Sequence, residues 1–77
     1  MSAIRFELAD PTPVRLSLHD VTGSEVARLL QRLAPAGVSS VTWDGRDANG
    51  RPVAAGVYFV RLESPDGVRT HKLVLAR

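Results

Sequence analysis

Apolar and polar residues alternate along most of the chain with a period of two, and clusters of turn-forming residues interrupt the alternation. Ile4, Phe6 and Leu8 alternate with Arg5 and Glu7, the pattern of a strand with one face buried. Asp10-Pro11-Thr12-Pro13 ends it, because proline fixes φ and lacks the N–H that a ladder needs. Val14, Leu16 and Leu18 alternate with Arg15, Ser17 and His19 in a second strand. Asp20-Val21-Thr22-Gly23 then reads as a turn, with Gly23 free to take a positive φ. Further on, Val38, Val41 and Trp43 mark another strand, followed by the turn-rich stretch Asp44-Gly45-Arg46-Asp47-Ala48-Asn49-Gly50. The run from Val57 to Glu63 is the strongest strand signal, with Tyr58, Val60 and Leu62 on one face. Ser64-Pro65-Asp66-Gly67 reads as a hairpin turn into a last strand over residues 68–76.

One stretch carries two patterns. Val26, Leu29, Leu30 and Leu33 stand at the i, i+3, i+4 and i+7 positions of an amphipathic helix, and Thr22 with Glu25 matches a capping box. Ten residues make only a marginal helix, and the flanking strands need a third between them to build two sheets. The expectation is therefore a strand over residues 25–30, followed by a turn at Pro35-Ala36-Gly37. Six or seven short strands at this spacing predict an all-β fold: an immunoglobulin/fibronectin-III-like, two-sheet antiparallel β-sandwich of about seven strands. Trp43, the largest side chain, is expected at the centre of the core with its N–H satisfied.

Composition narrows the function. Seventy-seven residues make a single domain spanning 1–77, and a chain of this size buries only about 60% of its unfolded surface. No cysteine is present, which excludes disulfides and thiolate metal sites. The formal charge is +2, from ten basic and eight acidic residues, and the basic residues are dispersed. No basic run tracks a phosphate backbone and only four aromatics offer stacking, so nucleic acid is not an expected partner. No apolar stretch approaches the ~20 residues of a membrane span. Met1-Ser2-Ala3 has neither the basic nor the apolar segment of a signal peptide, so any export signal of a longer parent is expected upstream.

Catalytic chemistry finds little purchase. His19 and His71 alternate with apolar neighbours and read as solvated surface side chains. Ser17, His19 and Asp20 spell a triad, but adjacent strand residues point to opposite faces and are not expected to converge. Asp44, Asp47 and Asn49 are the best oxygen-ligand cluster. An EF-hand-like loop ending at Gly50 would need a ligand at position 45 and a glutamate six residues after Gly50, where Gly45 and Gly56 stand instead. A loop folded by Asx-turns is the simpler reading, with a Ca²⁺ site as the alternative. Gly45, Gly50 and Gly56 form no phosphate loop, and no cofactor is expected. Arg15, Arg28, Arg61, Arg69 and Lys72 are expected on an exposed sheet face. Basic side chains there guard sheet edges against pairing or meet an acidic partner.

These pieces, taken in order, resemble a known family. Ile4-Arg5-Phe6-Glu7-Leu8, the stretch from Val14 to Val26, Pro35-Ala36-Gly37, Val41-Thr42-Trp43-Asp44-Gly45-Arg46-Asp47, Asn49-Gly50, the stretch from Ala55 to Leu62 and Lys72-Leu73-Val74-Leu75 are similar to the FlgD-type immunoglobulin-like domain. They also resemble the closely similar type A C-terminal sorting domain of the type IX (Por) secretion system. The resemblance implies a sandwich of about seven strands, with a strand at residues 25–30, placed at the C-terminal end of a larger secreted protein. It also implies a non-catalytic module that directs export and cell-surface attachment through a secretion translocon. The positions matching the sorting signature are Gly56, Tyr58, Lys72, Leu73, Val74 and Leu75, while Trp43, Asp44, Gly45 and Asp47 match the structural core and turn. The implied location is extracellular or at a bacterial cell surface. Met1-Ser2-Ala3 replaces the family's Asn-Pro-rich lead-in, and the Trp-Asp-Gly-x-Asp loop is closer to the hook-cap version. The alternatives are accordingly a hook-cap-like scaffold or rigid spacer with assembly partners, and a glycan-binding module. Sorting requires the tail at residues 72–77, assembly predicts self-association, and glycan binding wants exposed aromatics, of which Tyr58 and Phe59 can supply at most one.

Overall fold

The computed structural model describes residues 2–76, and among them every regular element is a β-strand. The strands are β1 (Ser2–Leu8), β2 (Thr12–His19), β3 (Glu25–Ala34), β4 (Gly37–Trp43), β5 (Gly56–Ser64) and β6 (Gly67–Leu75). All pairings are antiparallel: β1 with β4 in one sheet, and β3-β2-β5-β6 in the other. The two layers form an immunoglobulin-like sandwich of six strands, the lower of the two strand counts expected. The two-stranded layer covers only part of its partner.

The alternation read from the sequence decides which faces meet. Leu16 and Leu18 of β2 pair with Leu62 and Val60 of β5, so all four point into the space between the sheets. Ile4, Trp43, Tyr58 and Leu75 join Leu16, Leu18 and Val60 in one buried cluster. Half-buried Phe6, Val26, Leu29, Leu30, Val41, Leu62 and Leu73 pack round it. Trp43 is 1% exposed, as expected of the core centre. Its indole N–H donates to the Arg46 carbonyl at 2.9 Å, and its ring meets Tyr58 edge-on at 5.3 Å.

The helical-looking stretch is a strand, and two irregularities reconcile the patterns. Ser17 pairs with Arg28 while Leu16 pairs with Leu30, and His19 pairs with Glu25 while Leu18 pairs with Ala27. Leu29 and Val26 are thus extra residues on β3, bulges that each reset the strand's facing parity. The resets let Val26, Ala27, Leu29 and Leu30 all contribute to the core side. Leu33, the fourth residue of the apparent helical stripe, lies beyond them and is 65% exposed.

Candidate functional site

Three groups of side chains carry the chemistry that the sequence singled out. The first is the loop after β4. Asp44 accepts the Arg46 N–H on its carboxylate at 3.0 Å, and Asp47 accepts the N–H groups of Asn49 and Arg51 at 2.9 and 3.0 Å. The Arg46 guanidinium donates to the Gly50 carbonyl, and the Ala48 N–H reaches the carbonyl of the Val26 bulge at 3.1 Å. The carboxylates therefore do the work of a backbone scaffold, as the Asx-turn reading expected. Among the described residues no three acidic, imidazole or thiol side chains gather round a common point. Gly45 lies between the two aspartates at φ 79°, and its carbonyl accepts the Val53 N–H.

The second group corrects two expectations on β2. His19 is not a solvated surface residue but 7% exposed, and Ser17 is fully buried. Both lie on the outer face of a central strand, where β3 and β5 flank them. Residues two apart on a strand share a face, so Ser17 and His19 do meet, with Oγ and Nε2 2.9 Å apart. His19 Nδ1 lies 3.2 Å from the Gly23 carbonyl, which can only accept, so Nδ1 carries the proton and Nε2 accepts from Ser17 in the neutral ring. Asp20 is turned away to organise the β2–β3 turn. It accepts the Thr22 hydroxyl at 2.6 Å and the Thr22 and Ser24 N–H groups at 3.0 and 3.1 Å. The Thr22 hydroxyl, chiefly, holds its carboxyl below the usual range against the opposing effect of desolvation, and the backbone N–H groups of Ser24, Thr22 and Gly23 add to the lowering. The three residues are thus a strand-to-turn brace and not a catalytic triad.

Beside them Arg15 bridges Glu25 of β3 at 3.2 Å and Glu63 of β5 at 3.9 Å, and Arg28 reaches Glu25 at 3.8 Å. The register places Arg28, Arg61 and Lys72 on this outer face with Arg15. Arg69 departs from the expected set: it stands opposite core-facing Leu62, hence on the other face, though exposed.

The third group is the signature set at the start of β5 and the end of β6. Gly56 pairs with Leu75, Val57 with Val74, Tyr58 with Leu73 and Phe59 with Lys72, so residues far apart in sequence form one stretch of ladder. Tyr58 and Leu75 are buried, Leu73 is half-buried, and Lys72 and Val74 are exposed. The Tyr58 hydroxyl donates to the Ala54 carbonyl at 2.5 Å, which fixes the entry to β5. Phe59 points away from the core and is half-buried. Four of the six signature positions thus have structural duties, and two are presented to solvent.

A family model described as the FlgD Ig-like domain matches residues 1–67. The chain belongs to that family. As an FlgD Ig-like domain it is a structural immunoglobulin-like module, a class that is typically non-catalytic. The matched stretch includes the Trp43 loop and all of β5, and it stops at the hairpin that leads into β6. No curated protein and no solved structure matches the chain significantly.

Proposed function

We propose that this domain is a non-catalytic assembly module of a larger exported protein, which holds or spaces its parent at the cell surface through protein–protein contacts. The FlgD Ig-like match carries the reading. The organisation of the polar residues supports it: Asp20, Asp44 and Asp47 brace turns, and Ser17 and His19 brace a strand end. Deleting the domain from its parent tests this. The parent's own activity should survive, while incorporation into its final assembly should fall. Unchanged incorporation would overturn the assignment.

The second reading is a sorting module that addresses its parent to the type IX translocon. The meeting of Gly56–Tyr58 with Leu73–Leu75 in one ladder favours it, since it makes a single element of the signature positions. Immunoblots of cell and medium fractions, with antibodies to domain and parent, separate the two. A sorting signal removed after export gives a long cell-associated species and an exported parent lacking the domain. A scaffold or spacer stays attached in the final product.

A further inference from the structure

β6 is the last strand of the four-stranded sheet, with β5 on one side and, among the described residues, no strand on the other. Ser64 and Gly67 flank a two-residue turn as a hydrogen-bonded pair, and such pairs alternate along an antiparallel ladder. Gly67, Arg69, His71, Leu73 and Leu75 therefore direct their backbone groups at β5. Val68, Thr70, Lys72 and Val74 direct theirs outward, at a free edge. Natural edges of this length are usually blunted by proline, a bulge or a covering segment. β6 has nine residues with no proline and no register shift, and residues 67–72 are all exposed. Its outer-face valines, Val68 and Val74, are 59% and 63% exposed.

The one protective device is positive charge. β6 contains Arg69 and Lys72 and no acidic residue. Among the described residues the ion pairs are those of Arg15 and Arg28, so neither Arg69 nor Lys72 is neutralised by a neighbour. A second copy of β6 would bring the same charges to the edge and be repelled. An acidic strand meets free donors, free acceptors and charges of opposite sign together.

The geometry points to the outer edge of β6 as a docking site for an extended acidic segment of a partner protein, added as a further strand of the sheet. Lys72 and Arg69 lie on opposite faces three residues apart. A partner strand running antiparallel to β6 therefore places acids three residues apart, with apolar residues opposite Val74 and Val68. The inference rests on the assembly-module reading, but it is tested on the isolated chain, so its failure leaves the deletion experiment on the parent to stand or fall separately.

The probe is the capped heptapeptide VTETTEV, titrated into the ¹⁵N-labelled 77-residue chain at low salt, with VTKTTKV as its basic counterpart. Shift changes should concentrate at Val68, Thr70, Lys72 and Val74, and hydrogen exchange at these four amides should slow at saturation. Thr70→Pro removes one outward N–H, which an edge strand tolerates, and should abolish the response. Lys72→Glu should weaken the acidic peptide about fivefold and admit the basic one, and it serves alone if the proline variant does not fold. Three results would overturn the proposal: no protection of the four amides at millimolar peptide, equal responses to the two peptides, or self-association of the chain through β6.

Discussion

Trp43 gives the sharpest test of how this small domain is held together. At about 0.05–0.15 kcal/mol per residue, a chain of this length has roughly 4–12 kcal/mol of total stability. The Trp43 ring is 1% exposed, meets Tyr58 edge-on, and its indole N–H satisfies the carbonyl of Arg46 in the following loop. Trp43→Ala removes the whole ring and leaves a cavity between sheets too thin to close over it, at a cost of about 3–5 kcal/mol. That is enough to unfold the domain if its stability lies near the lower bound.

Trp43→Phe keeps a ring against Tyr58 but loses the N–H donor and about a third of the ring atoms. About 1 kcal/mol for the hydrogen bond and a further ~1–2 kcal/mol for the smaller cavity give a cost of roughly 2–3 kcal/mol. Trp43 is the sole tryptophan, so unfolding of its variants must be followed by far-ultraviolet circular dichroism in urea. With a slope near ~1 kcal/mol/M, the Trp43→Phe midpoint should fall by about 2–3 M at an unchanged slope. A Trp43→Phe midpoint within about 0.5 M of the parent, together with a cooperative Trp43→Ala variant, would refute the placement of this residue at the centre of the core.

Three further outcomes follow from particular contacts. Asp20 titrates below the usual carboxylate range, so its turn contacts stabilise the fold fully above the unfolded value of about 3.9 and lose that effect as pH falls through the lower folded value. The difference in melting temperature between parent and Asp20→Ala should therefore shrink on acidification. A difference that grows, or an Asp20 carboxyl titration at or above the ordinary value by NMR, contradicts the structure. Ser17→Ala leaves His19 Nε2 without its donor in a buried place and should cost about 1–2 kcal/mol in urea unfolding. A neutral result would mean that water reaches the ring. Gly50→Ala meets no atom within 4 Å, yet Gly50 sits at φ 79°. The cost should be about 1–2 kcal/mol from backbone conformation alone, with Gly50→Asn milder, and equal effects would argue against that origin.

Much of the fold was legible in the sequence because alternation, prolines and Asx-Gly turns act locally. The position of Trp43, the Asx-turn loop and the Pro65-Asp66 hairpin needed no knowledge of strand order. What escaped depended on neighbours. His19 alternates with apolar residues and so belongs to an outer face, but only the sheet order shows that β2 is central and that face flanked on both sides. The sequence signal was present in Asp20-x-x-Gly23, since a turn that brings the Gly23 carbonyl back to His19 Nδ1 makes burial tolerable. The bulges at Val26 and Leu29 likewise turned a period-two strand into an apparent helical stripe. Arg69 could have been placed by counting from the hairpin, because Ser64 opposite Gly67 puts Arg69 opposite core-facing Leu62.

The tail bears on how the two proposed functions can be told apart. Leu73 and Leu75 are core-side residues of β6, and Leu75 is 6% exposed against the cluster that holds Trp43 and Tyr58. Truncating residues 72–77 therefore removes two core side chains as well as any recognition surface. At about 1.5–3 kcal/mol for buried Leu75, with a smaller share for half-buried Leu73, the loss is a large fraction of the stability of the domain. A failure of export or assembly after truncation would then report unfolding, whichever function is correct. Of residues 72–75 only Lys72 and Val74 are exposed, so Lys72→Glu and Val74→Ser can alter recognition while leaving the core in place. Each should melt within about 0.5 kcal/mol of the parent, and each should be read for export and for assembly. If neither process changes in variants that melt normally, the end of β6 holds the domain together and recognises nothing.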